Sequence, residues 1–400
     1  MSAHDVVIVG AGPAGLAAAG RLRDAGISDM VVLEREDAAG GVPRHCGHRV
    51  FGLHEFHRLM KGDGYARRLV ADSAGIDVRT ETAVTALHPG GELELSGPDG
   101  SARLEARYVL LATGIRETPR PARLVSGTRP WGVTTTGALQ RFVNLAGMRP
   151  FERAVIVGTE WVSFSALSTL RRGGMEAVAM IEENRRITAR RPADLVARWG
   201  FGVPVLMATR LVRILGRERV EGVELERGGR RWRLDCDGVV FSGSFVPEAA
   251  LLGGGHPVRD PGTGGPVIDQ YFRCSDPAFL AAGNLLRPVE PAVTAYREGI
   301  AAAETILAAL QGRLTNPIER IDVAFSAPIR SVCPQVVARP GRPAALTVRM
   351  AREARGRLRL VIDGETTWSR RLHALPERRI HLPAITTDTA HTLAVVFDER

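Results

Sequence analysis

The sequence predicts an α/β fold: two Rossmann-like domains, the second inserted in the first, and a small C-terminal antiparallel β domain of sandwich type. Three observations predict it. Residues 6–34, VVIVGAGPAGLAAAGRLRDAGISDMVVLE, read as buried strand, glycine turn, helix, second strand and terminal acid. Residues 154–183, AVIVGTEWVSFSALSTLRRGGMEAVAMIEE, repeat that order. From Ile321 onward, short β-branched or alternating segments (IDVAFSAP, AALTVRMA, GRLRLVIDG, TLAVVFDE) follow one another with Pro and Gly between them.

The first βαβ unit carries a dinucleotide fingerprint. Gly10 permits the tight turn after the strand, Gly12 lets the backbone approach a pyrophosphate, and Gly15 lets the helix pack close to the sheet. Pro13 and Ala14 open the helix, whose free N–H groups and positive dipole end face the phosphates. Glu34, 19 positions after Gly15, ends the second strand, where a carboxylate can hold a ribose hydroxyl. A lone GxGxxG is weak evidence; strand, turn, helix, strand and acid in order make a strong one.

The remaining elements follow from the same patterns. AAGGVPRHCGHRVFGLHEF is a loop at the ligand-facing end of the sheet, and GDGYARRLVADS a short amphipathic helix. RYVLLATGIRE is a buried strand ending in Ala112-Thr113-Gly114. FLAAGN and the alanine-rich helix after Pro291 return the chain to the first domain. The expected domains are therefore 1–118 with 270–318, an inserted 119–269, and a C-terminal β domain over 319–400 with a docking or dimerisation role.

Composition narrows the function classes. No apolar run reaches the length of about 20 residues that a transmembrane helix needs. The first strand begins near Asp5 and leaves no room for a signal peptide. Cys46, Cys236, Cys274 and Cys333 are scattered with no CxxC, which argues against a disulfide framework or structural zinc and for a cytoplasmic location. The net charge of +9 is spread along the chain as arginine, so it suggests a solvated basic surface or a face for an acidic partner, not nucleic-acid binding.

The assembly resembles the two-dinucleotide-domain FAD-dependent oxidoreductases, the glutathione-reductase-like superfamily. GAGPAG…VVLE, LLATGIRE and FLAAGN carry the resemblance over roughly residues 5–312. GGVPRHCGHRVFGLHEF followed by GYARRL also looks like flavoprotein subunits of multicomponent dye-linked amino-acid and opine dehydrogenases, or relatives tied to glycerol 3-phosphate oxidation. The resemblance implies FAD. Gly10, Gly12, Pro13, Ala14 and Gly15 would hold its pyrophosphate, Glu34 the adenosine ribose, and Arg35 would lie beside the adenine. Gly41 and Val42 would line the path to the ring, and Val84 would contact adenine through its backbone. Ala112, Thr113 and Gly114 would pass along the cofactor. Gly283 and Asn284 would meet the ribityl region, with Asn284 replacing the family's usual Asp. Ala292 and Val293 would aim helix N–H groups at the flavin pyrimidine end.

The second fingerprint is damaged. Where GxGxxG or GxGxxA is needed, the chain has Gly158-Thr159-Glu160-Trp161-Val162-Ser163. Glu160 puts bulk and negative charge where two phosphate charges would lie. At about 4 Å the repulsion is about 1 kcal/mol in water and about 4 kcal/mol at an effective dielectric of 20. Glu182 keeps the place of the ribose-binding acid, and Arg185 and Arg186 read either as a 2′-phosphate site or as a solvated turn. The expectation is a retained fold that has lost nicotinamide binding.

His45, Cys46 and His48 are the candidate catalytic residues, with His54 and His57 nearby. Three readings compete: an activated thiol or proton-transfer group, a metal site, or packing around the cofactor. No metal is expected, because spacing of this kind in a single loop seldom supplies a tetrahedral set. The function expected is an FAD-dependent dehydrogenase or electron-transfer subunit. It would act on a small organic substrate, or relay electrons from a partner to an acceptor other than NAD, in an oligomer with a second dehydrogenase or iron–sulfur subunit. The alternatives are a self-contained NAD(P)H-dependent flavin reductase and a non-catalytic scaffold that holds FAD.

Overall fold

A computed structural model of the chain describes residues 2–190, 192–254, 256–314, 319–386 and 389–399. The expected boundary at 318/319 abuts residues 315–318, outside the described residues. The chain forms two compact units: residues 1–41, 66–115 and 247–400 make the first, and 42–65 with 116–246 the second.

The first unit is built on a parallel sheet. Ser2–Val9 lies between Met30–Leu33 and Gly100–Leu111, parallel to both, and Asp77–Arg79 extends the Met30–Leu33 edge. Val6, Val7 and Ile8 are fully buried, as a strand covered on both faces must be. Gly100–Leu111 is long because its other edge serves two neighbours. Its first half pairs antiparallel with Glu92–Gly97, and its end pairs parallel with the returning strand Phe279–Ala281. Helix Pro13–Asp24 is small-residue-rich (PAGLAAAGRLRD) and packs on helix Ala292–Leu310. Gly299 allows that approach, since a Cβ there would stand 2.1 Å from the Ala14 carbonyl oxygen.

The C-terminal part of this unit is two sheets around one core. One holds Val336–Arg339, Glu319–Phe325, Leu393–Glu399, Ala354–Ile362 and Glu365–Ala374; the other holds Ile329–Cys333, Ala344–Met350 and Ile380–Ile385. Val323, Leu358 and Val395 of the first share a buried cluster with Val332, Leu346 and Val348 of the second. This is the expected sandwich, antiparallel apart from the parallel pair Glu319–Phe325 and Leu393–Glu399.

The second unit repeats the parallel plan. Its strands run Val133–Thr135, Gly238–Phe241, Arg153–Val157, Glu176–Ile181 and Val205–Leu206, all parallel. Strand order reverses at Arg153–Val157, so a ligand crevice would open between its end and that of Gly238–Phe241. A separate sheet of Ser126–Gly127, Arg210–Leu215, Gly222–Arg227 and Arg230–Leu234 packs through Leu211, Val223 and Leu225 against Val155, Val239 and Phe241.

Candidate flavin site and its degenerate copy

In the first unit, glycines bring four segments to one turn. Gly10 has φ +107°, and a Cβ there would lie 2.6 Å from the Ala112 oxygen. Gly41 has φ +60°, and its Cβ would lie 2.8 Å from the Gly12 Cα. Gly283 has φ +75°, and its Cβ would meet that of Ala14 at 2.9 Å. Gly15 is tightest, with a Cβ 1.9 Å from the Gly10 oxygen. Gly12 differs from all of these. A Cβ there would touch nothing nearer than the Gly41 Cα at 4.0 Å, so protein packing does not require glycine at this position. Gly12 also caps helix Pro13–Asp24 with no side-chain hydrogen bond, which leaves the helix start bare for an anion.

Glu34 is buried beside this turn. Oε2 accepts the Ala11 N–H at 2.9 Å and Oε1 accepts the Glu36 N–H at 2.9 Å. A carboxylate has about four acceptor sites, so roughly two remain for ribose hydroxyls. Arg35 is exposed and reaches Glu248 at 3.5 Å. The same Glu248 fixes the Ala112–Gly114 segment: its carbonyl accepts the Thr113 hydroxyl at 2.8 Å, and its N–H donates to the Gly114 oxygen at 2.9 Å. Ala112 itself donates to the Val9 oxygen. Val84 is half-buried on strand Ala83–His88. Ala292 and Val293 begin helix Ala292–Leu310. Asn284 is already engaged: its Oδ1 accepts the Glu290 N–H at 2.6 Å and its Nδ2 donates to the Glu290 oxygen at 3.0 Å. It shapes the loop leading into that helix. Val42 belongs to the second unit, where it is exposed at the start of the turn Val42–His45.

The second unit copies this frame almost bond for bond. Gly158 and Glu182 each stand 148 positions after Gly10 and Glu34. Gly158 N–H donates to the Ile181 oxygen as Gly10 does to Leu33. Glu182 oxygen accepts Thr209 N–H as that of Glu34 accepts Thr82. Asn184 N–H donates to Glu182 Oε1 as Glu36 does to Glu34. The site within the frame is different. Glu182 Oε1 also accepts the Asn184 side-chain amide at 2.7 Å, and Oε2 accepts hydroxyls from Thr159 and, at 3.1 Å, Thr188. Four donors of the chain itself occupy this carboxylate, against two at Glu34. Glu160, in the place of Gly12, lays its carboxylate on Gly243, where a built Cβ would stand 2.1 Å from its Cδ; Oε1 accepts the Ser244 N–H at 3.3 Å. Trp161 is 59% exposed beside it. Arg185 is exposed and Arg186 half-buried.

The Cys-His loop lies in the second unit. Cys46 is buried, with Sγ donating to the Val42 oxygen at 3.4 Å and to Gln140 Oε1 at 3.6 Å. Burial, and then the charge of Glu117, push its thiol up to about 12, so the sulfur is protonated at neutral pH. His45 is buried, and its carbonyl accepts the Asn144 side-chain amide at 2.7 Å. His48 packs on Phe51 with ring centroids 5.5 Å apart. Burial and the nearby Arg172 hold its pKa below the usual value, which favours the neutral ring. Among the described residues no group of three His, Cys, Asp or Glu is placed to hold a metal, and all four cysteines are free and buried.

Sequence reasoning passed over Glu117. It is the acid of GIRE, three positions beyond Gly114, and it accepts N–H bonds from Gly137 at 2.6 Å and Gly243 at 3.0 Å. Burial raises its pKa against those bonds. It also passed over Thr159 and Thr188, whose hydroxyls have no signature in a fingerprint written in glycines.

Residues 4–299 match the model of the pyridine nucleotide-disulphide oxidoreductases. The chain belongs to this family. Its members are flavin-dependent oxidoreductases, and the cofactor is FAD. The cradle fits that cofactor: a glycine turn with one position left open, a bare helix start and a buried carboxylate with acceptor sites to spare.

Among curated relatives, an opine oxidase subunit of Rhizobium meliloti (strain 1021) is 31% identical over 188 residues, 46% of this chain and 39% of the relative. The sarcosine oxidase alpha subunit of Corynebacterium sp. (strain P-1) is 26% identical over 274 residues, 62% of this chain and 27% of the relative. The chain thus spans well under half of either protein. Thioredoxin reductase of T. acidophilum shares the fold, with TM-score 0.65 and 22% identity over 78% of this chain and 100% of that one. L-proline dehydrogenase from P. horikoshii does so with TM-score 0.61 and 20% identity, over 78% of this chain and 57% of that one. No described helix is long and apolar enough to cross a membrane.

Proposed function

We propose that this chain is the FAD-carrying subunit of a multicomponent dehydrogenase whose electrons do not come from, or go to, a nicotinamide. One observation carries the reading: the copy of the nucleotide site in residues 119–269 is filled by the chain itself. NAD(P) needs a free ribose-binding carboxylate and an open turn. Glu182 holds four internal donors, and Glu160 occupies the turn. Opening the site would break four charge-assisted hydrogen bonds, one buried and three part-buried, each worth up to about 1.5–3 kcal/mol.

Bound FAD supplies the electron transfer, and the chain's residues do the rest. Gly10, Gly12, Pro13, Ala14 and Gly15 seat the pyrophosphate, and Glu34 takes the adenosine ribose with Arg35 beside the adenine. Val84 contacts the adenine through its backbone. Gly41, Ala112, Thr113, Gly114, Gly283 and Asn284 line the path toward the ring. Ala292 and Val293 present helix N–H groups at its far end. This domain comprises 1–118 with 270–318, and the β domain is 319–400.

Cys46, His45 and His48 form a packed wall in this reading: the thiol is protonated, and its two partners are Val42 and Gln140 rather than a second cysteine. Relatives whose names tie them to opines and sarcosine favour a small amine-type substrate, and their being parts of larger oxidases favours a second protein component. Four free cysteines agree with a reducing, cytoplasmic setting.

The test is an anaerobic titration of the yellow protein. NADH and NADPH should leave the flavin absorbance unchanged, and calorimetry should show no binding at micromolar ligand. Stoichiometric bleaching by either nucleotide would overturn the reading in favour of a self-contained reductase.

A further inference from the structure

Glu290 is a fully enclosed acid of the first unit, and it is ringed by arginines. Its side chain has 0% exposure. It pairs with Arg287 at 3.6 Å, with Arg349 at 3.7 Å and with Arg379. Arg287 also pairs with Glu298 and reaches Cys333 Sγ at 3.7 Å. Glu298 in turn accepts the Gly283 N–H at 3.1 Å. Arg287, Glu290 and Glu298 belong to the loop and helix that follow strand Phe279–Ala281. Arg349 lies on strand Ala344–Met350 of the sandwich, and Arg379 just before strand Ile380–Ile385.

The network therefore joins the C-terminal β domain to one short stretch of chain. That stretch, 283–291, runs from the glycine touching Ala14 to the start of helix Ala292–Leu310. Its backbone is closed by the Asn284–Glu290 pair of hydrogen bonds. Arg349 adds a hydrogen bond to the Glu377 oxygen at 2.7 Å and so is held in place from its own domain. Three guanidinium groups face two carboxylates, leaving an excess of positive charge behind the helix start. The neighbouring His381 registers that excess: burial, then Arg379, Arg287 and Arg349, hold its pKa below the usual value.

We propose that the C-terminal β domain is an electrostatic part of the flavin site: Arg349 and Arg379, set against Glu290, position the start of helix Ala292–Leu310 and raise the reduction potential of the flavin in front of it. This rests on the reading that FAD lies along Gly10–Gly15 with its ring end at Ala292 and Val293. Reduction adds negative charge to the ring, which a positive field favours. The three residues are positioning residues, since none touches the cofactor in this arrangement.

Charge sign separates this from a purely structural role. Potentiometry on the full-length FAD-loaded protein compares wild type with Glu290→Gln, Arg349→Met and Arg379→Gln. Removing the carboxylate raises the midpoint potential, and removing either arginine lowers it. The expected size is a tenfold change in the ratio of reduced-form to oxidised-form affinity, which is about 30 mV for a two-electron couple. A structural role alone would weaken FAD binding in all three and give no opposed shifts. Arg379 is the most exposed of the arginines, at 30%, so its variant decides the question if Glu290→Gln fails to fold. Shifts of one sign, or none, in variants that still bind FAD overturn the proposal alone. A wild-type protein that binds no FAD overturns the cofactor reading instead.

Discussion

Gly12 allows fold and cofactor binding to be separated. Its backbone has φ −86° and ψ −172°, an extended conformation open to any residue. Its Cβ would sit 4.0 Å from its nearest neighbour, ordinary van der Waals distance. Gly12→Ala therefore costs the apo fold little. Alanine is a poorer N-cap by about 1 kcal/mol, and its smaller unfolded-state entropy returns about 0.4–1 kcal/mol. The net change is under about 1 kcal/mol, a melting shift of about 2 °C or less for a chain of this size. Binding should suffer far more, because the methyl group stands where the pyrophosphate approaches the helix start. A tenfold or greater loss of FAD affinity, at least about 1.4 kcal/mol, is expected. Gly15→Ala is the control with the opposite profile. Its Cβ would overlap the Gly10 oxygen at 1.9 Å, so the apo protein itself should be destabilised. The assay is thermal melting of flavin-stripped protein followed by fluorescence titration with FAD. A Gly12→Ala protein that binds FAD within twofold of wild type would refute the reasoning.

Other expectations follow from the same geometry. Glu34→Gln should weaken FAD about tenfold by the same titration, whereas Glu182→Gln should leave FAD affinity unchanged and lower only the melting temperature; equal effects on FAD would show that the two acids are not functionally distinct. Glu160→Gly should not restore micromolar NADH binding in calorimetry, because Glu182 stays filled by Thr159, Asn184 and Thr188. Cys46→Ser should leave the rate of flavin reduction by substrate within twofold in stopped-flow measurements, and a tenfold drop would return the thiol to the chemistry. The buried thiols should also make stability fall as pH rises. Cys46 and Cys236 titrate near 12 in the native chain and near 9 when unfolded, so the native state binds more protons between those values. Stability from these groups is complete below about pH 9 and declines above it, by up to about 1.4 kcal/mol per pH unit for each thiol. Urea unfolding at pH 8.5 and 10.5 should show a smaller loss in Cys46→Ser than in wild type, and identical losses would contradict the assignment.

Much of the fold was legible because its signals are local. Val6–Val9 and Ala154–Val157 are apolar runs before glycine turns, and Gly10, Gly15 and Gly283 mark places where a Cβ would strike the backbone or a neighbouring Cβ. The sandwich could be read from alternation, since Leu346, Val348 and Met350 face inward while Ala345 is exposed and Thr347 and Arg349 are half-buried. The interior of the site was less accessible. Glu117 meets Gly137 and Gly243 through long-range contacts that no spacing encodes. Asn284 also closes its own loop through Glu290, six residues on, a role that no motif announces. For Cys46 the sequence left thiol or proton-transfer chemistry, metal binding and packing open. The thiol's ionisation is decided by burial and by Glu117, neither of which the loop reveals.

The two βαβ units also show where function resides in a duplicated frame. Backbone hydrogen bonds are shared: the glycine turn and the strand-end acid recur 148 residues on, while the donor to the acid's carbonyl, Thr82 or Thr209, comes from a connection of different length. Those bonds shape the turn and set the acid at the strand end. Neither feature by itself decides whether a nucleotide can be held. The distinction rests on two local facts: whether the turn position at 12 or 160 carries a side chain, and how many of the carboxylate's acceptor sites the chain itself uses. At Glu34 two remain open; at Glu182 none do. Restoring nicotinamide binding would therefore take more than glycine at 160. Thr159 and Thr188 would have to lose their hydroxyls, and Asn184 its side-chain amide, before Glu182 could accept a ribose. Such a quadruple variant that bound NADH, where Glu160→Gly did not, would establish that carboxylate saturation, and not turn bulk alone, closed the second site.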